Sequence, residues 1–575
     1  MCGILGIVGD APVKQRLIDG LKRLEYRGYD SSGIALCAGN KIFKKRTVGK
    51  IDVLEKALAE EKMDGFIGIG HTRWATHGGI TKDNAHPHGN EDFVLVHNGI
   101  IENHEELRAS VPDYRFQTQT DTEIIVALIE QEKKTQSNIQ IAILNVCQKL
   151  KGHFAIVLFF KDDPSTLIAI RQGSPLAVGF SKTEGFVGSD ALSLSVLAET
   201  ICYLENGDIA FVQKNALKIM DRMGKLVERN LKKMNIPCHK KDKENYSHYM
   251  LKEIHEQPCV IQATIENFKD FDLSQYEEIR IIACGTSFYA GLLAKYWFEM
   301  ERGIRTNVEL ASEFRYAKPL FHSKTCAIVI SQSGETIDTL SCLYLLKDNH
   351  IKTLGIINVR ESSIARMVDH VIYTEAGLEV GVASTKALTA QLVVLALLAN
   401  KNSKNDLSHL RLNDVLSLDY QEIALFLSQY HNVLFLGRGI SYPLALEGAL
   451  KLKEISYIHA QGYAAGEMKH GPIALIDENF PVVCLAPFDQ WFEKTLSNIH
   501  EVLARGAMVV LLTDQKGAQA IDHNHVKKII LPESNIWTAP FLYVASLQLI
   551  AYYVACLKGT DIDQPRNLAK SVTVE

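Results

Sequence analysis

The sequence predicts an α+β domain followed by two copies of one doubly wound α/β domain, and three observations carry that prediction. Up to about residue 215, short alternating strands (FVLVHNG, HFAIVLFF, TLIAIR, DIAFV) interleave with a few helices, one of them over 123–133. A polar, lysine-rich stretch, RMGKLVERNLKKMNIPCHKKDKENYSHYM, then breaks the pattern. Beyond it, β-branched strands alternate with amphipathic helices, as in a parallel sheet, and this half repeats itself.

The repeat rests on four landmarks in step. IRIIACGTSFYAGLLAKYWFE (279–299) aligns with NVLFLGRGISYPLALEGALKLKE (432–454), placing Gly285 over Gly437. AIVISQSGETIDTL (327–340) matches PVVCLAPFDQWFEKTL (481–496), and TLGIINV (353–359) matches AMVVLLTD (507–514). QLVVLALLA (391–399) matches QLIAYYVAC (548–556). The expected division is a first domain over 2–217, a linker over 218–265, the two copies over 268–405 and 424–565, and a tail over 566–575.

Composition narrows the function classes. The chain has 575 residues, is 47% hydrophobic and 22% charged, and carries a formal net charge of −5. With no long basic block, nothing favours nucleic acid or a membrane surface as partner. No basic segment precedes the apolar start, and the late apolar run LVVLALLA (392–399) is far short of the roughly 18 residues of a membrane span. Eleven scattered cysteines include no C-x-x-C pair, so neither a disulfide framework nor a metal site is expected. The expectation is a cytoplasmic protein.

Where the two copies differ, chemistry is suggested. The first has CGTS and SQSGET after two strands; the second has LGRG and LAPFDQ. Backbone amides at helix N-termini, with small hydroxyl side chains, suit an anion. Thr286, Ser287, Ser331, Gln332, Ser333 and Thr336 are therefore a candidate phosphate cradle, although Ser and Thr are also the ordinary helix caps. In LEGALKLKEISYIHAQGYAAGEMKHGP (446–472), Glu447, Lys451 and Glu454 share one helix face, which reads either as a solvated ion-pair ladder or as a catalytic cluster. The chain closes on DQPRNLAKSVTVE, whose Lys570 is either a solvated lysine of a frayed end or part of a docked loop.

The opening MCGILGIVGD offers a nucleophile of a particular kind. With Met1 removed, Cys2 would hold a thiol and a free α-amine, and an amine of pKa about 7.7–8.0 can take the thiol proton near neutral pH. Cys2 is accompanied by LEYRGYDSSG, HTRWATHGG, NAHPH, VHNGIIENH and TQTDTE. These segments resemble the glutamine amidotransferases with an N-terminal nucleophile. Taken with the rest of the chain, they resemble the isomerizing glutamine–fructose-6-phosphate aminotransferase (glucosamine-6-phosphate synthase) family from end to end.

That resemblance implies a sandwich-type N-terminal-nucleophile glutaminase domain followed by two sugar-isomerase (SIS) domains. It implies L-glutamine and fructose 6-phosphate as substrates, no cofactor or metal, and a homodimer sharing its sugar site. In the first domain it assigns Cys2 as nucleophile, Asn98 and Gly99 as oxyanion hole, Arg73 and Asp121 as grips on glutamine, and Thr76 and His77 to the glutamine loop. Trp74 becomes the gate of an internal ammonia passage. HNG is also a strong hairpin-turn signal, and Thr120 with Glu123 would make a capping box before a helix. His86 and His97 read as structural hydrogen-bonders, and GSDALSL (188–194) is a family landmark without an assigned role. In the sugar half the resemblance assigns Lys570 to a Schiff base, Glu454 to proton transfer between C1 and C2, and His470 to ring opening, in its own subunit's pocket or a neighbour's. Lys451 would assist, and Val382 and Ala569 would contact the sugar through their backbones. The alternatives are amination of another ketose phosphate, a non-catalytic sugar-phosphate sensor, or phosphoribosyl transfer, for which SQSGET is not the expected acidic signature.

Overall fold

The computed structural model describes residues 2–61, 64–234 and 242–573. Met1, whose removal the sequence reading requires, lies outside the described residues. The chain divides into two compact units, residues 1–240 with 571–575, and residues 241–570.

The first unit is built on two antiparallel sheets. Across the first, the strands run Lys232–Lys233, Thr200–Tyr203, Ala177–Phe180, Gly185–Gly188, Gly3–Val8 (β1), Ile67–Arg73 (β2), Ser31–Ala38 and Lys41–Val48. The second contains Phe93–Ile101 (β3) paired with Gly152–Phe160 (β4), with Asp163–Gln172 and Ile209–Gln213 beyond. Alternation along β1 sorts its side chains: Ile4 and Val8 join Val94, Val96, Ala155 and Val157 in a core between the sheets. Leu5 and Ile7 face the opposite way, onto helices Lys14–Leu24 and Ile51–Leu58. Helix Thr122–Thr135 (α1) covers the far face of the second sheet through Ile125, Leu128 and Ile129. The unit is thus a helix–sheet–sheet–helix sandwich.

The segment expected as a linker behaves differently. Within its described part, helices Tyr249–His255 (α2) and Gln257–Asn267 form and bury Met250, Ile254, Ile261 and Ile265 in the core of the second unit. Lysines and polar residues around them hid this apolar stripe.

The second unit contains two five-stranded parallel sheets. The first holds Glu278–Ala283 (β5), Arg305–Leu310 (β6), Thr325–Ser331 (β7), Lys352–Ile357 (β8) and His370–Tyr373 (β9), in the order β6-β5-β7-β8-β9. The second holds Asn432–Gly437 (β10), His459–Ala464 (β11), Val482–Leu485 (β12), Val509–Thr513 (β13) and Val526–Ile530 (β14), in the order β11-β10-β12-β13-β14. The orders are equivalent, so the sequence repeat is a repeat of fold. One register detail is corrected. Two residues beyond β5, Gly285 has φ +53°, and two beyond β10 it is Gly439 that has φ +57°. Gly439, not Gly437, is therefore the counterpart of Gly285.

The helices that pack these sheets are Gly285–Trp297 (α3), Ile337–Asp348 (α4), Lys386–Ala399 (α5), Ser441–Ser456 (α6) and Ala539–Lys558 (α7). Every residue of α5 is buried. Among the described residues the longest apolar helix is α7 rather than the one holding LVVLALLA; it is long and apolar enough to cross a membrane, but 83% of its 18-residue apolar window is buried. Burial accounts for its composition.

Candidate active site

In the first unit the candidate residues converge on the start of β1. Cys2 is half-buried, its Sγ receiving the Trp74 N–H at 3.3 Å and approaching the Trp74 carbonyl at 3.5 Å. Burial pushes its thiol pKa up, against the lowering effect of nearby positive charge. The Asn98 amide donates to the Cys2 carbonyl at 3.0 Å and to Ser189 Oγ at 3.0 Å. Its Oδ1 accepts from His71 Nε2 at 3.1 Å, which also reaches the His97 carbonyl at 3.0 Å. Both partners of Nε2 are acceptors, so that nitrogen carries the proton.

The hairpin reading of HNG is corrected: β3 runs through it, pairing Asn98 with Ala155 and Gly99 with Phe154. Glycine is required at 99 because φ is +117° and a Cβ there would stand 2.0 Å from the His153 carbonyl oxygen. The capping-box reading of TDTE fails as well. Glu123 accepts the N–H groups of Gln117 and Thr118, while Asp121, 4% exposed, accepts the Ile101 N–H at 2.8 Å.

Arg73 at the end of β2 donates to the carbonyls of His77, Gly78 and Gly79, which shapes the loop carrying the exposed Thr76 and half-buried His77. Trp74 is half-buried, edge-on to Tyr29 with ring centroids 6.1 Å apart. His86 Nε2 and His97 Nδ1 share Thr122 Oγ1 at 3.0 and 2.9 Å, and His71 lies against His86 with centroids 4.1 Å apart. Burial lowers the pKa of all these imidazoles, His71 to about 3.

The landmark GSDALSL has a structural part that the sequence did not disclose. Ser189 Oγ accepts the Ile4 N–H at 2.8 Å, and Asp190 pairs with Arg27 at 2.8 Å. Arg27 Nε in turn donates to the Cys2 carbonyl at 3.2 Å. These contacts fix the strand that carries the thiol.

In the second unit, the Ser/Thr loops follow β5 and β7. These neighbours are where the strand order reverses, the usual ligand crevice of an open α/β sheet. Ser331 Oγ accepts the Gly334 N–H and meets Thr336 Oγ1, both at 3.0 Å. Ser333 Oγ accepts the Glu335 N–H at 3.1 Å. Gln332 is half-buried in the segment after β7, and Ser287 is half-buried in the first turn of α3. At the equivalent place in the second sheet, the Trp491 indole packs on Gly439 and Arg438 donates to Asn498, so that crevice is filled.

The solvated-ladder reading of α6 is corrected. Glu447 and Lys451 are 2% and 1% exposed. Lys451 Nζ lies 3.5 Å from Glu447, 2.5 Å from Glu454 and 3.2 Å from Thr286 Oγ1, joining α6 to the first turn of α3 in the first copy. Burial raises Glu447 to about 7 despite Lys451, with Glu454 adding to the rise. Burial works against the Lys451 charge, but the two carboxylates outweigh it and raise its pKa.

Lys570 is docked, not frayed: its side chain is 3% exposed and ion-paired to the fully buried Glu379. Glu379 also accepts the Thr385 and Ala387 N–H groups at the start of α5 and the Ser384 hydroxyl. Burial opposes its charge, yet Lys570 and these donors hold its pKa low. Sequence reasoning missed Glu379; the only signal was an acidic residue amid the small and apolar residues of GLEVGVASTK. Val382 donates its N–H to the Asp563 carbonyl at 3.0 Å, and Ala569 is half-buried beside Lys570. His470 is not brought to this cluster. It is exposed on the 3₁₀ turn Glu467–His470 and its side chain has no hydrogen bond or ion pair among the described residues.

Comparison with known proteins agrees with this division. Residues 75–195 match the family model of the glutamine amidotransferase domain, and 272–401 and 426–558 each match that of the SIS domain. Fold and site together define an amidotransferase domain joined to a pair of SIS domains. The glutamine–fructose-6-phosphate aminotransferase [isomerizing] of Brucella abortus biovar 1 (strain 9-941) is 47% identical over 608 aligned residues, covering 100% of both chains. That of Mesorhizobium japonicum is 47% identical over 607, again covering 100% of both. The solved C-terminal domain of glucosamine-fructose-6-phosphate aminotransferase from Francisella tularensis is 40% identical, with a TM-score of 0.53 over 56% of this chain and 100% of that one. The chain belongs to the family of isomerizing glutamine–fructose-6-phosphate aminotransferases.

Proposed function

We propose that the chain makes D-glucosamine 6-phosphate and L-glutamate from D-fructose 6-phosphate and L-glutamine. The observation that carries this reading beyond family membership is the burial of Lys570 against Glu379, which makes a chain-terminal lysine part of a built site.

In the first unit, the Cys2 thiolate attacks the glutamine side-chain carbonyl, ammonia leaves, and water hydrolyses the thioester to glutamate. The α-amine of a processed Cys2 takes the thiol proton. Asn98 is anchored through Oδ1 by His71, which supports its use, with the Gly99 N–H, as donor to the oxyanion. Arg73 takes the substrate carboxylate by exchanging a loop carbonyl, and Asp121 takes the ammonium. Trp74 gates the passage of ammonia.

In the second unit, Thr286, Ser287, Ser331, Gln332, Ser333 and Thr336 hold the phosphate, and Val382 and Ala569 hold the sugar through their backbones. Lys570 Nζ bonds to C2 of the open ketose and the carbonyl oxygen leaves as water. Ammonia then displaces the lysine. Glu454, 20% exposed where Glu447 is nearly sealed, takes a proton from C1 and returns it to C2, with Lys451 holding hydroxyls nearby. The exposure of His470 supports ring opening in a neighbouring copy's pocket, hence a homodimer. Mixing His470→Ala with Lys570→Ala chains should then restore part of the lost activity.

Purified, processed protein given both substrates should form glucosamine 6-phosphate. Failure to form it with fructose 6-phosphate, but success with another ketose phosphate, would replace the substrate assignment.

A further inference from the structure

Beyond Glu379, a second buried carboxyl group stands behind Lys570, and it comes from the segment that reads as a linker. Glu253 on α2 is 2% exposed. Its carboxyl accepts the backbone N–H of Val380 and of Gly381, the two residues that follow Glu379. The next residue, Val382, ties this loop to the segment leading into the tail through the Asp563 carbonyl. The Asp563 carboxylate closes the circuit by accepting the Tyr249 and Met250 N–H groups at the start of α2, each at 3.0 Å. Gly381 belongs to this junction, since a Cβ there would come within 2.9 Å of Glu253 Oε2.

We propose that Glu253 is a positioning residue for the Lys570 amine: it holds the 379–382 loop, and so sets where Glu379 and the tail place Nζ. The inference rests on the reading of Lys570 as the Schiff-base lysine. Removing Glu253 leaves the buried Gly381 N–H and the half-buried Val380 N–H without an acceptor and frees the loop that carries the partner of Lys570.

The charges facing Glu253 give the role a signature that a packing role lacks. They are Glu379 on the loop, Lys570 on the tail, and Lys386 at the start of α5. Lys386 is paired with Glu256 at 2.6 Å, and Asp563 with Lys243 at 3.2 Å. Burial first, and Glu379 second, push the Glu253 carboxyl up to about 8, with Lys570 and Lys386 pulling the other way. Below that pH the junction holds one carboxylate per lysine. Above it a second negative charge faces the Lys570 nitrogen, and the trapping rate stops rising with pH.

The test is borohydride trapping of fructose 6-phosphate on the full chain, with the modified peptide mapped, from pH 6 to 9. Wild type should trap at Lys570 with a rate that flattens near pH 8. Glu253→Ala should trap about 10–100-fold more slowly, the scale set by a misplacement of about 1 Å. Glu253→Gln keeps an acceptor oxygen but cannot ionise, so it should trap within about threefold of wild type at pH 7 and show no break near 8. A break that persists in Glu253→Gln, or a folded Glu253→Ala that traps at the wild-type rate, overturns the proposal. If Glu253→Ala does not fold, the Glu253→Gln profile decides. Absence of trapping at Lys570 in wild type overturns the Schiff-base assignment and this inference together, whereas trapping that neither variant alters overturns this inference alone.

Discussion

Replacing Lys451 by methionine separates a buried charge from its counter-charge, and the cost can be set from the structure. Glu447 titrates near 7 rather than 4.5 even with Lys451 beside it. At about 1.36 kcal/mol per pH unit, keeping it ionised costs the folded state about 3 kcal/mol above pH 7. The sign follows from a raised carboxyl: the penalty is absent below pH 4.5, grows up to about 7, and is constant beyond. Without Lys451 the carboxyl rises further, so the penalty keeps growing past pH 7. Removing one partner of a buried pair typically costs about 3–5 kcal/mol. The second unit spans about 330 residues. At about 2.1 cal/mol/K of unfolding entropy per residue, Lys451→Met should lower its melting point by about 4–7 °C at pH 8, and by less at pH 6. Glu447→Gln keeps an acceptor for Thr286 and Lys451 while removing the charge, so alone it should shift the melting point by only about 1–2 °C. Combined with Lys451→Met it should restore most of the loss. Calorimetry of the four chains at both pH values reads all of this. A Lys451→Met chain as stable as wild type at pH 8, or a double variant no better than the single, would refute the reasoning.

The glutamine half yields three further expectations. Asn98→Ala should reduce kcat for glutamine hydrolysis about 100–1000-fold, measured as glutamate released, while borohydride trapping at Lys570 stays unchanged. Ser189→Ala removes an acceptor shared by Ile4 and Asn98 and should cost about tenfold in the same assay; an unchanged rate would remove Ser189 from the scaffold. The buried histidines, whose folded pKa values lie below the usual 6.5, stabilise the first unit fully above that pH and lose this contribution as pH falls. His71 alone, at about 3, should cost about 2 kcal/mol by pH 5, so urea unfolding of this unit should occur at clearly lower urea at pH 5 than at pH 7.

What could be read from the sequence follows from how local each signal is. Alternation in β3 and β4, and the repeat of strand and helix in the second unit, are short-range patterns and emerge in the structure as sheets of equivalent order. Matching letters sets Gly285 against Gly437, whereas positive φ selects Gly439, a backbone property that letters do not carry. Glu447, Lys451 and Glu454 have the same spacing on a solvated helix as on a sealed one. Only the packing of α6 distinguishes the two, and it leaves Lys451 1% exposed. Glu253, Glu379 and Lys570 lie far apart along the chain and meet through the Val380 and Gly381 amides and one ion pair, so no motif joins them. Both copies have the strand order that opens a crevice, but the first keeps the Ser/Thr loops and Glu379, while the second fills its crevice with Trp491 and supplies α6 and the tail. Thr286 of the first copy bonds Glu447 and Lys451 of the second, so the candidate site draws on both copies. Thr286→Val, which removes both bonds, should therefore lower the melting point of the second unit in calorimetry.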